Sequence, residues 1–223
     1  MQLQQKVVVV TGSSSGIGYN TANLLLEKGA IVYGLSRRET AIKHERFRWI
    51  KADLSHEEEI EAAFALIRKS DPEISVLINN AGRGLFGDIE TISVQDWQEV
   101  ISVNLTAAFL CTRQVVPQMK LRRSGMIVNI ASIAGKRGFK GGTAYCSSKF
   151  GMVGFSESLM EELREFNIRV ACICPGSVQT EFFNKTSLHP AKLMNPEDVA
   201  GIIVSAIELP DSILPDQIVI RPL

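Results

Sequence analysis

A tyrosine and a lysine four positions apart, Tyr145 and Lys149, have the residue types and the spacing that proton transfer requires. Positions i and i+4 of a helix lie on one face, so the lysine ammonium can stand beside the tyrosine phenol. A neighbouring positive charge favours the phenolate, and the pair therefore predicts that Lys149 lowers the pKa of Tyr145 from its usual value of about 10. Such a phenol can donate or accept a proton near neutral pH. Ser132, thirteen residues before the tyrosine, can hold a substrate oxygen beside it.

A glycine-rich turn, Thr11-Gly12-Ser13-Ser14-Ser15-Gly16-Ile17-Gly18, follows the first apolar run of the chain, Val7 to Val10. The apolar run predicts a buried strand, and a helical pattern follows the turn. Glycines at such a strand–helix junction allow the backbone to approach a phosphate, which the helix N-terminus attracts. Neither the turn nor the Tyr-x-x-x-Lys pair is specific alone, because plain turns and solvated surface pairs share these patterns.

Apolar periodicity places these residues in a chain of alternating strands and helices. Strands are predicted over residues 6–11, 31–36, 47–51, 75–78, 126–130, 168–174 and 217–220. Helices are predicted over residues 17–28, 57–70, 94–122, 145–166 and 196–208, with a break or bend in the third at Pro117. The alternation predicts an α/β fold in one domain over residues 1–223. We expect a doubly wound, mostly parallel, Rossmann-type sheet of about seven strands with helices on both faces.

The polar motifs of the chain follow the carboxyl ends of predicted strands. The glycine turn follows the first strand, Asn79-Asn80-Ala81-Gly82 the fourth, Ser132 the fifth and Pro175-Gly176 the sixth. Ligands of open α/β sheets bind at this edge, whereas structural residues have no reason to gather there. The sequence therefore predicts a ligand site that these segments share.

Composition argues against several classes of function. The chain has 24 basic and 24 acidic residues, so its zero net charge offers no electrostatic basis for binding nucleic acid or a membrane. No apolar stretch is expected to span a membrane and no signal peptide is recognised, so a cytoplasmic location is expected. The four cysteines and three histidines lack the spacing of metal ligands, and no metal is expected.

On these motifs the chain resembles the single-domain branch of the short-chain dehydrogenase/reductase (SDR) family, over essentially its whole length. The order and the register of the motifs make a chance match very improbable. The matching residues are Thr11, Gly12, Gly16, Gly18, Asn79, Asn80, Ala81, Gly82, Asn104, Ser132, Tyr145, Lys149, Pro175, Gly176, Val178 and Thr180.

The resemblance implies an oxidoreductase that transfers a hydride between a nicotinamide cofactor and a small carbonyl or alcohol substrate. Tyr145 would pass a proton to or from the substrate oxygen, while Lys149 lowers the tyrosine pKa and binds the nicotinamide ribose. Ser132 would orient the carbonyl, and Asn104 would hold a water molecule of a proton relay. The implied cofactor-binding residues are Gly12, Ser14, Ser15, Gly16, Ile17, Gly18, Arg37, Arg38, Asp53, Leu54, Asn80, Ala81, Gly82, Tyr145, Lys149, Pro175, Gly176, Val178 and Thr180.

The residues after the second predicted strand favour NADP(H) over NAD(H). NAD enzymes of this fold carry an acid at that point, which binds the ribose hydroxyls. This chain has Ser36 there, followed by Arg37 and Arg38, whose guanidinium groups suit a 2′-phosphate. Asp53 and Leu54 match the position that contacts adenine in the family, although a helix N-terminal acid explains Asp53 equally well.

Two other functions are weighed on the same fold. One is a catalytically idle NADP-binding sensor or scaffold, against which the complete set of four catalytic residue types argues. The other is a sugar-nucleotide epimerase or dehydratase, which would need an added substrate domain that this short chain lacks. The resemblance also leads us to expect a homo-oligomer, either a dimer or a tetramer.

The chemistry of the substrate is harder to predict. Residues 177–194 would cover the substrate, and Phe182, Phe183 and Leu188 make that segment partly apolar. Four basic residues near the predicted pocket mouth would favour an acidic substrate if they converged, although ordinary solvated loop charges are the plainer interpretation. They are Arg83, Lys136, Arg137 and Lys140.

Overall fold

A computed structural model describes residues 1–182 and 190–223 of the chain. Its central feature is a sheet of seven parallel strands in the order β3-β2-β1-β4-β5-β6-β7. Phe183 and Leu188, which were assigned to the substrate-covering segment, lie outside the described residues. The strands are β1 (Val7–Thr11), β2 (Ile31–Ser36), β3 (Phe47–Lys51), β4 (Ile74–Asn79), β5 (Gly125–Ile130), β6 (Ile168–Pro175) and β7 (Gln217–Ile220).

Helices cover both faces of this sheet, which confirms the predicted doubly wound, Rossmann-type architecture. Helices α1 and α6 pack on one face and helices α2, α4 and α5 on the other. The bounds agree with the predicted ones to within three residues, apart from the division of the third predicted helix. The helices are α1 (Gly16–Glu27), α2 (Glu57–Ser70), α3 (Val94–Ile101), α4 (Ala107–Arg122), α5 (Thr143–Leu163) and α6 (Pro196–Glu208).

The central strand β1 shows why a strand buried on both faces appears in the sequence as a continuous apolar run. Val8 and Val10 pack in the core beneath α1 and α6, while Val7 and Val9 pack in the core on the opposite face. A strand buried on both faces has no solvent-facing positions, so it shows no polar alternation. The chain order reverses between β1 and β4, and in such folds this switch point forms the ligand crevice at the carboxyl edge.

A π-helical turn, Ser102–Thr106, divides the helix that was predicted over residues 94–122. A break at Pro117 is wrong, because α4 continues beyond the proline, and a bend there stays a prediction. Val115 and Met119 are buried in the core on either side of Pro117, and their packing holds the helix together there. A π-turn inserts a residue into a helix and is frequent at functional sites, and this one carries Asn104.

The helical run 94–122 is long and apolar enough to cross a membrane by length and composition alone, contrary to expectation. One such helix is weak evidence for a membrane span, because buried core helices pass the same test. In this chain Leu110, Cys111 and Val115 of the run pack in the core against the sheet. The run therefore serves as a core helix in the described structure.

Candidate active site

Thr11, the last residue of β1, joins the glycine turn to the segment after β4. Its hydroxyl accepts hydrogen bonds from the backbone N–H groups of Asn80 (2.9 Å) and Ala81 (3.0 Å). It donates to the Ile78 carbonyl (3.2 Å). The Asn80 side-chain amide in turn donates to the carbonyls of Thr11 (2.9 Å) and Gly12 (3.2 Å). Asn80 and Ala81, predicted to bind the cofactor, thus shape the turn itself.

At two of the glycines predicted to bind the cofactor, neighbouring atoms lie too close to leave room for a side chain. Gly18 lies so near the turn that a Cβ there would stand 2.4 Å from the Asn80 side-chain nitrogen. Gly16 has a φ of 57°, and a Cβ there would stand 2.9 Å from the Thr180 methyl group. The turn is therefore compact, and Thr180 from the segment after β6 lies directly against it.

The N-terminus of α1 fits the phosphates of a dinucleotide. Ser15, which precedes the helix, makes no side-chain capping bond, and no acidic residue lies in the first turn. The first N–H groups of a helix have no partner within the helix, and the helix dipole adds positive potential there. Such a terminus attracts an anion. Ser14, Ser15 and Ile17 are half-buried around it.

Tyr145 and Lys149 lie one turn apart on α5, as their spacing predicts. The Lys149 Nζ is 5.9 Å from the centroid of the tyrosine ring and donates to the Ile130 carbonyl at the end of β5 (2.8 Å). The Ser132 hydroxyl lies near enough to the Tyr145 phenol to act on its pKa, and it donates to the Pro175 carbonyl (3.3 Å). The strand ends of β5 and β6 therefore bring the predicted catalytic groups together.

Burial dominates the pKa values of this pair. It raises the pKa of the Tyr145 phenol to about 12, and the hydrogen bond with Ser132 opposes part of that shift. It lowers the pKa of the Lys149 ammonium to about 8, against the opposing effect of two nearby thiols. The expectation that the pKa of Tyr145 lies below its usual value is wrong, because removing the phenolate from water raises that pKa more than Ser132 lowers it. An effect of Lys149 on the phenolate stays a prediction.

Asn104 is fully buried and ties the loop after β4 to α5. Its side-chain oxygen accepts from the Arg83 N–H (2.8 Å), and its amide donates to the Arg83 carbonyl (3.0 Å). The amide also donates to the Ser148 hydroxyl (2.9 Å), which donates to the backbone carbonyl of Tyr145 (2.7 Å). A Cβ at Gly82 would lie 3.4 Å from Asn104 Oδ1 and 3.7 Å from Lys149 Nζ. Asn104 therefore positions both segments, and its place in a proton relay stays a prediction.

The end of β2 carries a serine where an acid would bind the ribose of NAD. Ser36 is buried, and its hydroxyl donates to the Arg38 carbonyl (2.7 Å). The same hydroxyl accepts from the Trp49 indole (3.1 Å). These bonds shape the turn in which the two arginines follow the strand.

Arg37 and Arg38 are exposed beside the glycine turn. The Arg37 guanidinium lies 3.8 Å from the Asp53 carboxylate. The Arg38 guanidinium donates to the Ser15 hydroxyl (3.3 Å) and pairs with the Glu181 carboxylate (2.8 Å). Arg38 therefore lies beside the N-terminus of α1, and the binding of a 2′-phosphate by the two arginines stays a prediction.

Asp53 and Leu54 differ in how they face the crevice. Burial acts to raise the pKa of Asp53, but hydrogen bonds from Ser55 and the Arg37 charge outweigh it and hold that pKa below its usual value. Asp53 is therefore ionised and available near the arginines. The Leu54 side chain is buried in the core, so its contact with an adenine stays a prediction.

The segment after β6 approaches the crevice from the other side. Pro175 ends the strand, and the Gly176 N–H donates to the Ile220 carbonyl of β7 (2.8 Å). Val178 forms a single parallel bridge with Met194, and its side chain is buried in the core. The backbone after Val178 then leads to the threonine that lies against the glycine turn.

An aromatic wall, formed by Phe86, Phe139 and Phe182, lies against the Tyr145 ring through two of its members. The Tyr145 ring centroid lies 5.4 Å from that of Phe86 and 5.3 Å from that of Phe182. Phe86 is 5.9 Å from each of the other two wall rings. Phe86 and Phe139 were not singled out from the sequence. The available signal was that both are aromatic residues in loops that follow strand ends.

Two of the four basic residues proposed to favour an acidic substrate are engaged by other side chains. Arg83 forms an ion pair with Glu99 of α3. Lys136 donates to the side chain of Gln217 on β7. The other two basic residues are exposed on the loop after β5. The geometry therefore does not support steering of an acidic substrate by this set.

The cysteines do not assemble a metal site in the described part of the chain. All four are free and buried, and the thiols of Cys172 and Cys174 lie 3.8 Å apart on β6. Within residues 1–182 and 190–223, no group of three or more histidine, cysteine, aspartate or glutamate side chains could hold a metal ion.

Comparison with known proteins decides the family. The family model of the short chain dehydrogenases matches residues 6–191. The chain belongs to this family. Nodulation protein G of Rhizobium sp. (strain N33) is 38% identical to this short-chain dehydrogenase over 190 residues, which are 82% of this chain and 78% of that protein.

Two solved structures extend the similarity to the fold. The closed form of serine dehydrogenase complexed with NADP⁺ has a TM-score of 0.90 and 29% identity, over 96% of this chain and 94% of that one. A metagenomic short-chain oxidoreductase in complex with NADP has a TM-score of 0.85 and 30% identity, over 100% of this chain and 99% of that one. The family comprises oxidoreductases that bind a nicotinamide cofactor and act on small molecules.

Proposed function

We propose that this short-chain dehydrogenase is an NADP(H)-dependent oxidoreductase that interconverts a small carbonyl compound and its alcohol. The observation that carries the proposal is the meeting of Ser132, Tyr145 and Lys149, with the serine hydroxyl near enough to the tyrosine phenol to act on its pKa. Two hydroxyl donors at one point suit a substrate oxygen that gains negative charge during reduction. When bound, the nicotinamide exchanges a hydride with the carbonyl carbon.

Tyr145 holds the proton that the substrate oxygen receives. Because burial raises its pKa to about 12, the phenol is protonated at neutral pH and can donate during reduction. The ammonium of Lys149, whose pKa is about 8, is charged at neutral pH and stabilises the phenolate that remains. The same phenolate takes the proton back during alcohol oxidation. We assign to Asn104 the role of holding a water molecule of the proton relay. Its amide donates to Ser148, which lies one helical turn after Tyr145 on α5.

The preference for NADP(H) is supported by Ser36, Arg37 and Arg38. Because residue 36 is a serine, no carboxylate at that position would repel a 2′-phosphate. The exposed guanidinium groups of Arg37 and Arg38 follow this serine in the chain. A guanidinium binds a phosphate through charge-assisted hydrogen bonds. Two similar solved structures contain NADP. The other cofactor contacts are proposed for Gly12, Ser14, Ser15, Gly16, Ile17, Gly18, Asp53, Leu54, Asn80, Ala81, Gly82, Lys149, Pro175, Gly176, Val178 and Thr180.

The test compares NADPH and NADH as cofactors in the reduction of a panel of ketones and aldehydes. We expect wild type to prefer NADPH in kcat/KM by at least about tenfold, and the double variant Ser36→Asp/Arg37→Ala to shift towards NADH by a similar factor. Arg113→Ala, which removes an exposed arginine paired with Glu57 on α2, is the matched control and should not alter the preference. Wild type that prefers NADH, or a double variant without a shift, would overturn the cofactor assignment. NADPH binding without turnover of any carbonyl would favour the sensor or scaffold instead.

The proposal also covers assembly and location. A single Rossmann-type domain over residues 1–223 is supported by the one sheet to which all seven strands belong. A cytoplasmic location is supported by four free, buried cysteines, which suit a reducing compartment.

A homo-oligomer, dimer or tetramer, is supported by two exposed phenylalanines, Phe109 of α4 (46% exposed) and Phe150 of α5 (47%). Sedimentation velocity should show an oligomer, and a monomer at micromolar concentration would refute that part.

A further inference from the structure

The aromatic wall is built from three loops that are distant in sequence. Phe86 follows β4, Phe139 follows β5 and Phe182 follows β6. The first two loops are joined by a backbone hydrogen bond from the Gly87 N–H to the Gly141 carbonyl (2.9 Å). The wall is therefore formed by three loops that meet at the carboxyl edge of the sheet, where the candidate site lies.

The loop backbones are shaped closely around these rings. A Cβ at Gly84 would lie 2.7 Å from a ring atom of Phe182 and 2.8 Å from one of Phe86. A Cβ at Gly142 would lie 2.8 Å from two ring atoms of Phe139. Such distances are too short for any side chain at the two glycines, so the rings occupy space that the backbone leaves for them. This fit indicates a preformed apolar surface.

The wall remains partly open to solvent beside the reacting phenol. Phe139 is 41% exposed and the other two rings are half-buried. Two of the loop cations are engaged by other groups, since Arg83 pairs with Glu99 and Lys136 bonds to Gln217, while Arg137 and Lys140 extend into solvent. An apolar ligand gains by covering such a surface, and aromatic rings pack well on one another. A carboxylate packed against the rings would instead lose hydration.

We propose that the aromatic wall selects neutral carbonyl compounds with a flat, apolar substituent. The class comprises aryl ketones, aryl aldehydes and the alcohols derived from them. This substrate class rests on the proposed function, since it assigns the group next to the carbonyl that Tyr145 protonates. Phe86 and Phe182, which pack on the tyrosine ring, lie against the substituent close to the carbonyl, and Phe139 covers its outer part.

Three ketones test the proposal with the wild-type enzyme and NADPH. Acetophenone carries a neutral ring, 4-acetylbenzoate carries a carboxylate on the same ring, and 2-butanone carries no ring. We expect kcat/KM for acetophenone to exceed that for each of the others by at least about tenfold, the range that pocket contacts usually provide. A value for the acid or for 2-butanone that equals or exceeds the acetophenone value would overturn the substrate class.

Ring variants locate the selectivity in the wall. Phe86→Leu and Phe182→Leu should lower kcat/KM for acetophenone, mainly through KM, by about tenfold more than they lower the value for 2-butanone. Phe109→Leu removes an exposed ring on α4 outside the wall and serves as the control, with both values unchanged. Equal losses for the two ketones would show that the rings support the fold without selecting the substrate, and would overturn the proposal.

A binding measurement distinguishes a wrong substrate class from a wrong assignment of the oxidoreductase reaction. Saturation-transfer NMR with NADP⁺ and Tyr145→Phe reports contact of each ketone with the enzyme in the absence of turnover. Turnover of other carbonyls together with no selective contact for acetophenone would overturn the wall's role and leave the oxidoreductase assignment intact. Selective contact for acetophenone with no turnover of any carbonyl by wild type would overturn the reaction and support the wall as a binding surface.

Discussion

Replacing Thr11 by valine tests how firmly the glycine turn is held to the segment after β4. Thr11 is 2% exposed, and its hydroxyl accepts from the N–H groups of Asn80 and Ala81 at 2.9 and 3.0 Å. Valine has nearly the same shape, so Thr11→Val removes these bonds without opening a cavity. A buried donor left without a partner costs about 1–3 kcal/mol. Because both donors are only partly buried, we expect the free energy of unfolding to fall by about 3 kcal/mol for the pair.

Urea unfolding at 25 °C, followed by tryptophan fluorescence, measures this loss. A decrease of about 3 kcal/mol raises the unfolding constant roughly 150-fold, and the m-value should not change because the folded surface is the same. Thr11→Ser is the matched control, since it keeps the hydroxyl and loses one methyl group, at a cost of about 1 kcal/mol. If Thr11→Val cost no more than Thr11→Ser, the hydroxyl would not hold the turn and the reasoning would be refuted.

Three further outcomes follow from the structure. Gly18→Ala should raise the Kd for NADPH at least about tenfold in a fluorescence titration, because its Cβ would lie 2.4 Å from a side-chain nitrogen. Gly154→Ala on α5, which has open space at that point, should leave the Kd unchanged. The kcat/KM for reduction should fall as the pH rises through about 8. The pKa of Lys149 is lowered to about 8, so its ammonium is lost above that pH. A pH profile that stays flat to about pH 10 would contradict this. Tyr33→Phe should lower the free energy of unfolding by about 1.5 kcal/mol through loss of its 2.5 Å bond to the Asp71 carboxylate, and an unchanged urea midpoint would speak against it.

The sheet could be predicted because burial leaves a strong pattern in its strands. Both faces of β1 are covered, so Val7 to Val10 are all apolar, and glycine follows at the turn. Most later strands show a similar run beside helical patterns, and alternation of the two predicts parallel order. The edge strand β3 is an exception, because it mixes apolar and charged residues and follows β2 without a helix between them. The register and the order β3-β2-β1-β4 follow from chain packing, which no single segment encodes.

The interruption of the third predicted helix could not be read in the same way. The apolar pattern continues from α3 into α4, and a single inserted residue at Ser102–Thr106 shifts it too little to be recognised. Pro117 was a visible signal but a misleading one, because packing of its neighbours in the core outweighs the lost backbone hydrogen bond.

The candidate site was predictable in its positions and less so in its energetics. Spacing placed Tyr145 and Lys149 on one helical face, and strand ends placed Ser132 beside them. The direction of the tyrosine pKa shift depends on how deeply the phenol is buried relative to the nearby charge, and sequence does not contain that balance. The same limit applies to the aromatic wall and to the pairing of Arg83 with Glu99, since each joins residues from separate segments.

The central claim is that the Tyr145 phenol supplies the proton to the substrate oxygen. The most direct measurement is single-turnover reduction by Tyr145→Phe with NADPH, alongside the Kd for NADPH of the same variant. We expect a rate at least about a hundredfold below wild type, since the ring is kept and only the proton donor is lost, with the Kd within about threefold of wild type. A variant that reduces the carbonyl at more than about a twentieth of the wild-type rate would contradict the assignment of Tyr145 as the proton donor.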